Sequence, residues 1–247
     1  MYVNYAHRGA SHYRPENTLI SFRYGLELGA NGIELDLQIT KDGKIVIFHD
    51  DVIDNKSNGK GKIIDYTYEE LLKLDFGAWK GEEYKGTPIC LFEDFAKEFL
   101  GKDLTFAIEF KEKGVEEEAL RIIKKYKTHD NLYISSFQYD ILVKTRALDK
   151  DVKLSWLIQE PITKENIEKL LAINGSQICP KVALTTDEGI ALANDFGLGV
   201  RLWGVSDEEV MKKAFLFDTE GMTVNFPDKL KALMDEDRRW ENYGRKR

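Results

Sequence analysis

The chain has 247 residues, 43% of them hydrophobic and 32% charged, which is enough apolar material for one substantial core under a polar surface. Its formal net charge of −7 argues against a basic nucleic-acid-binding face, and no apolar run approaches the ~20 residues needed for stable membrane insertion. The opening MYVNYAHRG lacks the basic and apolar regions of a signal peptide, and Cys90 and Cys179 are too few for a disulfide framework or a thiolate zinc site, so a cytoplasmic, reducing setting is expected.

Tyr2–Ala6 reads as a strand that leads into a polar loop, His7 to Glu16. A helix follows, with Asn17 as its expected N-cap, Leu19, Phe22 and Leu26 on one face, and Gly29 at its stop. The stretch Asn31 to Asp50 then reads as two strands, Gly32–Ile39 and Lys44–Phe48, joined at Asp42-Gly43, where glycine tolerates the positive φ of a turn. Strand side chains alternate, so Glu34 and Asp36 share one face while Ile33, Leu35 and Leu37 share the other. Two carboxylates on an otherwise apolar strand are costly unless neutralised, and a divalent cation would neutralise them. The second strand delivers His49-Asp50-Asp51 to its C-terminal end.

Asp51 to Pro88 breaks this rhythm. It is rich in Gly and Lys, carries a capping box at Thr67-x-x-Glu70, and ends in Gly-Thr-Pro, so it reads as an insertion within one domain. Its aromatic residues Phe76, Trp79 and Tyr84 are expected to overhang the site and to influence which head group is accepted. Strands near Leu104–Phe110, Leu132–Phe137, Lys153–Ile158, Gln177–Cys179, Gly199–Trp203 and Met222–Val224 then alternate with helices up to Asp228–Met234. Eight βα units in one domain of about this size are the arithmetic of a (β/α)8 TIM barrel. An open doubly wound sheet is the alternative, but neither a GxGxxG nor a P-loop follows the first strand. Asp235 to Arg247 is a charged tail.

In such barrels the C-terminal strand ends meet in one mouth. Strand one brings His7 and Arg8, strand two Glu34 and Asp36, and the hairpin His49. Strand three brings Glu109 and Lys111, strand four Ser135 and Phe137, and strand seven Trp203. Three carboxylates suit a hard ion, Mg²⁺ or Ca²⁺, better than zinc. Arg8 and Lys111 suit a phosphate, and two imidazoles suit proton transfer at near-neutral pH. Phe137 and Trp203 are candidates for a substrate wall.

These residues fall in ordered blocks: His7-Arg8-Gly9, Pro15-Glu16-Asn17-Thr18, Glu34-Leu35-Asp36, Thr40-Lys41-Asp42-Gly43, His49-Asp50, Ile108-Glu109-Phe110-Lys111, Leu202-Trp203-Gly204-Val205 and Asn225-Phe226-Pro227-Asp228. The set resembles the glycerophosphodiester phosphodiesterase family over nearly the whole chain. The resemblance implies a (β/α)8 barrel with a small insertion after the second strand. It also implies a divalent metal on Glu34, Asp36 and Glu109, and a catalytic pair, His7 and His49. The implied substrate is a small-molecule phosphodiester, cleaved to glycerol 3-phosphate and an alcohol by water or through a cyclic phosphate.

The chain departs from the family pattern at Gly204-Val205-Ser206, where Thr-Val-Asn is common, and at Glu220, where Asp is frequent. Both departures are expected to alter the mouth and hence the alcohol it accepts. A phospholipase-type enzyme such as a lysophospholipase D on the same barrel is the alternative activity. A phosphodiester-binding module without catalysis would not need the full set of metal and His positions, and an enolising barrel would want its base on a strand opposite the metal. His12 and His129 read as loop and turn residues.

Overall fold

The computed structural model describes residues 2–127 and 130–237; His129 and residues 238–247 of the tail lie outside the described residues. Ten strands form one sheet. They are β1 (Val3–His7), β2 (Gly32–Ile39), β3 (Ile45–Ile47), β4 (Cys90–Leu91), β5 (Thr105–Phe110), β6 (Leu132–Ser136), β7 (Lys153–Ile158), β8 (Gln177–Pro180), β9 (Gly199–Leu202) and β10 (Gly221–Val224). Eight of them, β1-β2-β5-β6-β7-β8-β9-β10, pair in parallel in that order, and β10 pairs back onto β1. The sheet is therefore a closed (β/α)8 barrel, as the alternation predicts.

An outer helix follows each barrel strand. These are α1 (Leu19–Glu27), α3 (Phe92–Phe99), α4 (Glu116–Tyr126), α5 (Tyr139–Leu148), α6 (Lys164–Ala172), α7 (Asp187–Asp195), α8 (Glu208–Ala214) and α9 (Pro227–Glu236), while α2 (Tyr68–Leu71) belongs to the insertion. The alternation in β2 holds: Ile33, Leu35 and Leu37 are fully buried in the main apolar core, which leaves Glu34 and Asp36 facing the barrel interior. Thr18 rather than Asn17 caps α1, and its side chain accepts from the Ser21 amide. Asn17 cannot do so because it sits one residue earlier at φ +57 and turns its amide inward.

β2 runs past the rim and returns antiparallel as β3, with Leu37 opposite Ile47. This return brings His49 back to the level of the carboxylates, since the Phe48 amide donates to the Asp36 carbonyl at 2.9 Å. β4 then pairs antiparallel with β3, so the two ends of the insertion are stitched side by side. Phe76 is buried with Val46, Phe48, Ile53, Ile63, Leu71 and Ile89 in a separate apolar cluster. Trp79 donates its indole N–H to the Phe76 carbonyl and stacks under the Lys56 ammonium, 3.7 Å from the ring centroid. The Tyr84 hydroxyl bonds Arg14 and the Tyr13 carbonyl. Phe76 therefore does not overhang the mouth, while Trp79 and Tyr84 are half-buried with their polar atoms engaged. They pack the insertion and tie it to the β1–α1 loop, because burying apolar area gains more than exposing it.

Candidate active site

The mouth is built on strain and on a glycine. Arg8 and Asn17 both sit in the left-handed region, at φ +58 and +57, a conformation that costs non-glycine residues of order 1–3 kcal/mol each. The Asn17 amide closes the loop onto the Arg8 carbonyl at 2.9 Å. Gly9 between them has φ +81, and a β-carbon there would lie 2.5 Å from Ser21. Only glycine lets α1 approach this closely.

The carboxylates of Glu34, Asp36 and Glu109 lie within 4.8 Å of one another, and all three are buried. Parallel pairing of β2 with β5 places Asp36 beside Glu109. Arg8 reaches Asp36 at 3.3 Å through Nε and donates from Nη1 to Glu16 at 2.9 Å. Lys111 pairs with Glu109 at 3.1 Å. Below them Arg201 is fully buried, with its Nε donating to Gln177 at 3.3 Å and its guanidinium 5.3 Å from the Tyr5 ring centroid.

This crowding splits the carboxyl groups. Burial and the neighbouring Asp36 raise Glu34 well above its ordinary value, and the same two causes push Glu109 up to about 7. Burial also opposes ionisation of Asp36, but Arg8, His49, Lys111 and the Asn17 amide outweigh it and bring Asp36 down to about 2. Burial works against the charge of Lys111 too, yet Glu109 and Asp36 hold it above its ordinary value. Asn17 Nδ2 donates to Asp36 Oδ2 at 2.9 Å, while Asp36 Oδ1 and Asn17 Oδ1 are buried without a hydrogen-bond partner. A cluster of hard oxygens with two unsatisfied acceptors and two raised carboxyls fits a divalent cation.

The two histidines stand beside this cluster, each about one-third exposed. His7 Nε2 is 3.8 Å from Glu34, and its Nδ1 is 2.6 Å from Asn225 Oδ1, which also accepts from the Ser11 hydroxyl at 3.0 Å. Burial and Arg8 lower His7 to about 4 despite the raising effect of Asp36. His49 Nδ1 lies 2.7 Å from Asp50 Oδ1. Gln38, next in the inward series of β2 after Asp36, donates to the carbonyls of Phe48 and Asp50 and so pins the backbone on both sides of His49. Glu16, His49 and Asp50 also lie within 4.8 Å of one another, with Glu16 held by Arg8 and Lys56. Phe137 and Trp203 meet edge to face at 5.0 Å on the far side of the mouth, half-buried.

His7, Arg8, Glu34, Asp36, His49, Glu109, Lys111, Phe137 and Trp203 thus lie around the C-terminal mouth, whereas Phe76 does not. The reading missed Glu16, Asn17, Gln38, Asp50, Arg201 and Asn225 as members of the site. For Gln38 and Arg201 the signal was present in the period of two, since each is two residues from an inward-facing member, Asp36 or Trp203.

The sequence profile of the glycerophosphoryl diester phosphodiesterase family matches residues 7–229. A glycerophosphodiester phosphodiesterase of Caldanaerobacter subterraneus subsp. tengcongensis is 34% identical over 236 residues, covering 93% of this chain and 96% of its own length. An Oleispira antarctica phosphodiesterase, solved in complex with the product sn-glycerol-3-phosphate, superposes with a TM-score of 0.87 at 27% identity, covering 94% of this chain and 96% of its own. A glycerophosphodiester phosphodiesterase from Thermotoga maritima superposes with a TM-score of 0.77 at 28% identity, covering 94% and 99%. The fold and the acidic mouth are those of a phosphodiester hydrolase. The chain belongs to the glycerophosphoryl diester phosphodiesterase family.

Proposed function

We propose that this enzyme hydrolyses a glycerophosphodiester to glycerol 3-phosphate and an alcohol, with Glu34, Asp36 and Glu109 holding a divalent ion, Mg²⁺ or Ca²⁺. The observation that carries the reading is the convergence of three buried carboxylates, Arg8, Lys111 and two histidines in one mouth. The product bound by the Oleispira antarctica relative supports the same substrate class. When bound, the ion would neutralise the carboxylates and stabilise charge developing on phosphate oxygens.

The protein's own groups supply the rest. Arg8 and Lys111 bind the phosphate and orient it. An amide oxygen only accepts, so contact with Asn225 puts the proton of His7 on Nδ1 and leaves a lone pair on Nε2. His7, neutral at pH 7, takes the proton of the attacking oxygen. His49 has an anionic partner, Asp50, where His7 has a neutral one, and it gives a proton to the leaving alcohol. Phe137 and Trp203 wall the far side of the substrate. The test is release of glycerol 3-phosphate from glycerophosphocholine, measured with added divalent ion and with chelator. Equal turnover in both would overturn the metal assignment, and no glycerol 3-phosphate under any condition would overturn the reaction.

A further inference from the structure

A groove of about 740 Å³ leaves the mouth at His7 and Asn225, crosses the turn after β9 and ends against α8. Its walls are largely apolar: Val182, Ala183, Trp203, Val205, Val210 and Phe217. Two lysines, Lys181 and Lys213, also line it, and no carboxylate does. Among the described residues neither ammonium lies in a close ion pair, and Lys213 acts at longer range on the Asp207 carboxyl. Lys56 and Lys111, on the other side of the mouth, are paired with Glu16 and Glu109.

The position of Lys181 is set by the backbone. It bridges Trp203 in parallel register, and its ammonium lies 5.8 Å from the Trp203 ring centroid. Phe137 takes a further part of the same ring edge to face. Gly204, at φ +79, has no side chain to lift the lysine stem, and a β-carbon there would lie 3.0 Å from Lys181 Cγ. This is the position where the family commonly carries Thr. The tryptophan that could have received a quaternary ammonium is thus already faced by a cation, and like charges disfavour a cationic group nearby.

We propose that this groove, which opens from the mouth, receives the alcohol arm of the diester, and that the preferred arm carries a negative charge of its own, as a second phosphodiester does. The inference rests on the hydrolase reading above and adds the substrate class. Apolar walls desolvate the carbon skeleton of the arm, and the ammonium groups of Lys181 and Lys213 meet its charge. Because both lysines are exposed at the rim, their attraction is screened by salt over a Debye length of about 8–10 Å.

The test compares kcat/KM at low ionic strength for glycerophosphocholine, glycerophosphoglycerol and bis(glycerophospho)glycerol, which carry a cationic, a neutral and an anionic arm. The anionic substrate should exceed the choline ester by about tenfold, the scale of two exposed ion pairs, and the ratio should shrink as salt is added. In the double variant Lys181→Gln/Lys213→Gln the ratio should approach one, and in Lys181→Glu/Lys213→Glu it should invert. A wild-type ratio near one, or a ratio unmoved in the double variant, overturns the proposal. If none of the three is hydrolysed, the hydrolase reading fails. The groove is then judged by calorimetric binding of bis(glycerophospho)glycerol to wild type and to Lys181→Gln/Lys213→Gln, and equal affinities overturn it.

Discussion

The side-chain oxygen of Asn225 lies 2.6 Å from Nδ1 of His7, joining the last barrel strand's end to the first across a sequence separation of 218 residues. In the proposed mechanism Asn225 acts on the reaction through His7. Asn225→Ala should therefore lower kcat by about 10- to 100-fold with little change in KM, the range for losing a partner that orients a working group. Asn225→Asp, which keeps an acceptor, should recover most of it. Nitrogen chemical shifts of His7 provide a separate readout, since the alanine variant should mix tautomers while the aspartate variant should not. An alanine variant with unchanged kcat and one clean tautomer would remove Asn225 from this role.

His7→Gln and His49→Gln should each lower turnover by roughly 10²–10⁴-fold with the fold intact, because glutamine hydrogen-bonds but cannot shuttle a proton. The double variant should lose far less than the product of the single losses. On a diester with a nitrophenolate leaving group, which needs little protonation, only the variant without the general acid recovers. In the proposed mechanism that role falls to His49, whose Nδ1 lies beside Asp50. Recovery of His7→Gln instead would exchange the two assignments.

The raised carboxyls set the pH dependence of the ion-free enzyme. Glu34 and Glu109 have ordinary values of 4.5, and in the folded chain Glu34 stands well above this and Glu109 near 7. Between the two values the folded chain binds more protons than the unfolded one, so stability falls as pH rises. His7, lowered from 6.5 to about 4, acts in the opposite sense between those two values, where falling pH destabilises. The loss of stability should therefore be clearest from about pH 6.5 to 8. A divalent ion on the same oxygens displaces those protons, so its affinity should rise with pH over the same window. Thermal melts with chelator and with ion across this range test both statements. An ion-free melting temperature that climbs between pH 6.5 and 8 would contradict them. Glu34→Gln and Asp36→Asn should each weaken ion binding, and calorimetry measures it directly.

Phe76→Ala should act on stability, not on selectivity. The ring is fully packed in the insertion's own apolar cluster, 5.9 Å from the Phe48 centroid, and truncating such a side chain costs about 3–5 kcal/mol. Because Phe48 precedes His49, local loosening should also lower kcat. Denaturant unfolding and a panel of head groups separate the two effects. A shift in head-group ratios with unchanged stability would instead give Phe76 a part in head-group choice.

The barrel was legible in the sequence because its signal is repeated. Runs such as Thr105–Phe110 and Lys153–Ile158 recur with helices between them, and an error at one boundary leaves the count intact. Glu34, Asp36 and Glu109 were legible because alternation decides which side of a strand faces inward. Asn17 was misread because an asparagine before a helix usually caps it, and only the tertiary contact with Asp36 draws its amide away. Phe76 was misread because an aromatic residue in a polar insertion looks exposed until the insertion is known to have a core of its own. The groove at Lys181 is assembled from the ends of several strands and from α8, a juxtaposition that no local pattern records.

The seam between β1 and β10 has a consequence for the order of events during synthesis. A nascent chain that has emerged through β9 already carries Glu34, Asp36, Glu109 and both histidines, yet β1 still has an unpaired edge and His7 has no acceptor for its Nδ1 proton. Contacts of such long separation form late, so catalysis waits until β10 and Asn225 have emerged and docked. A ribosome-stalled fragment ending before residue 221 should bind ions weakly and turn over nothing, while addition of a peptide spanning β10 and α9 should restore activity in trans.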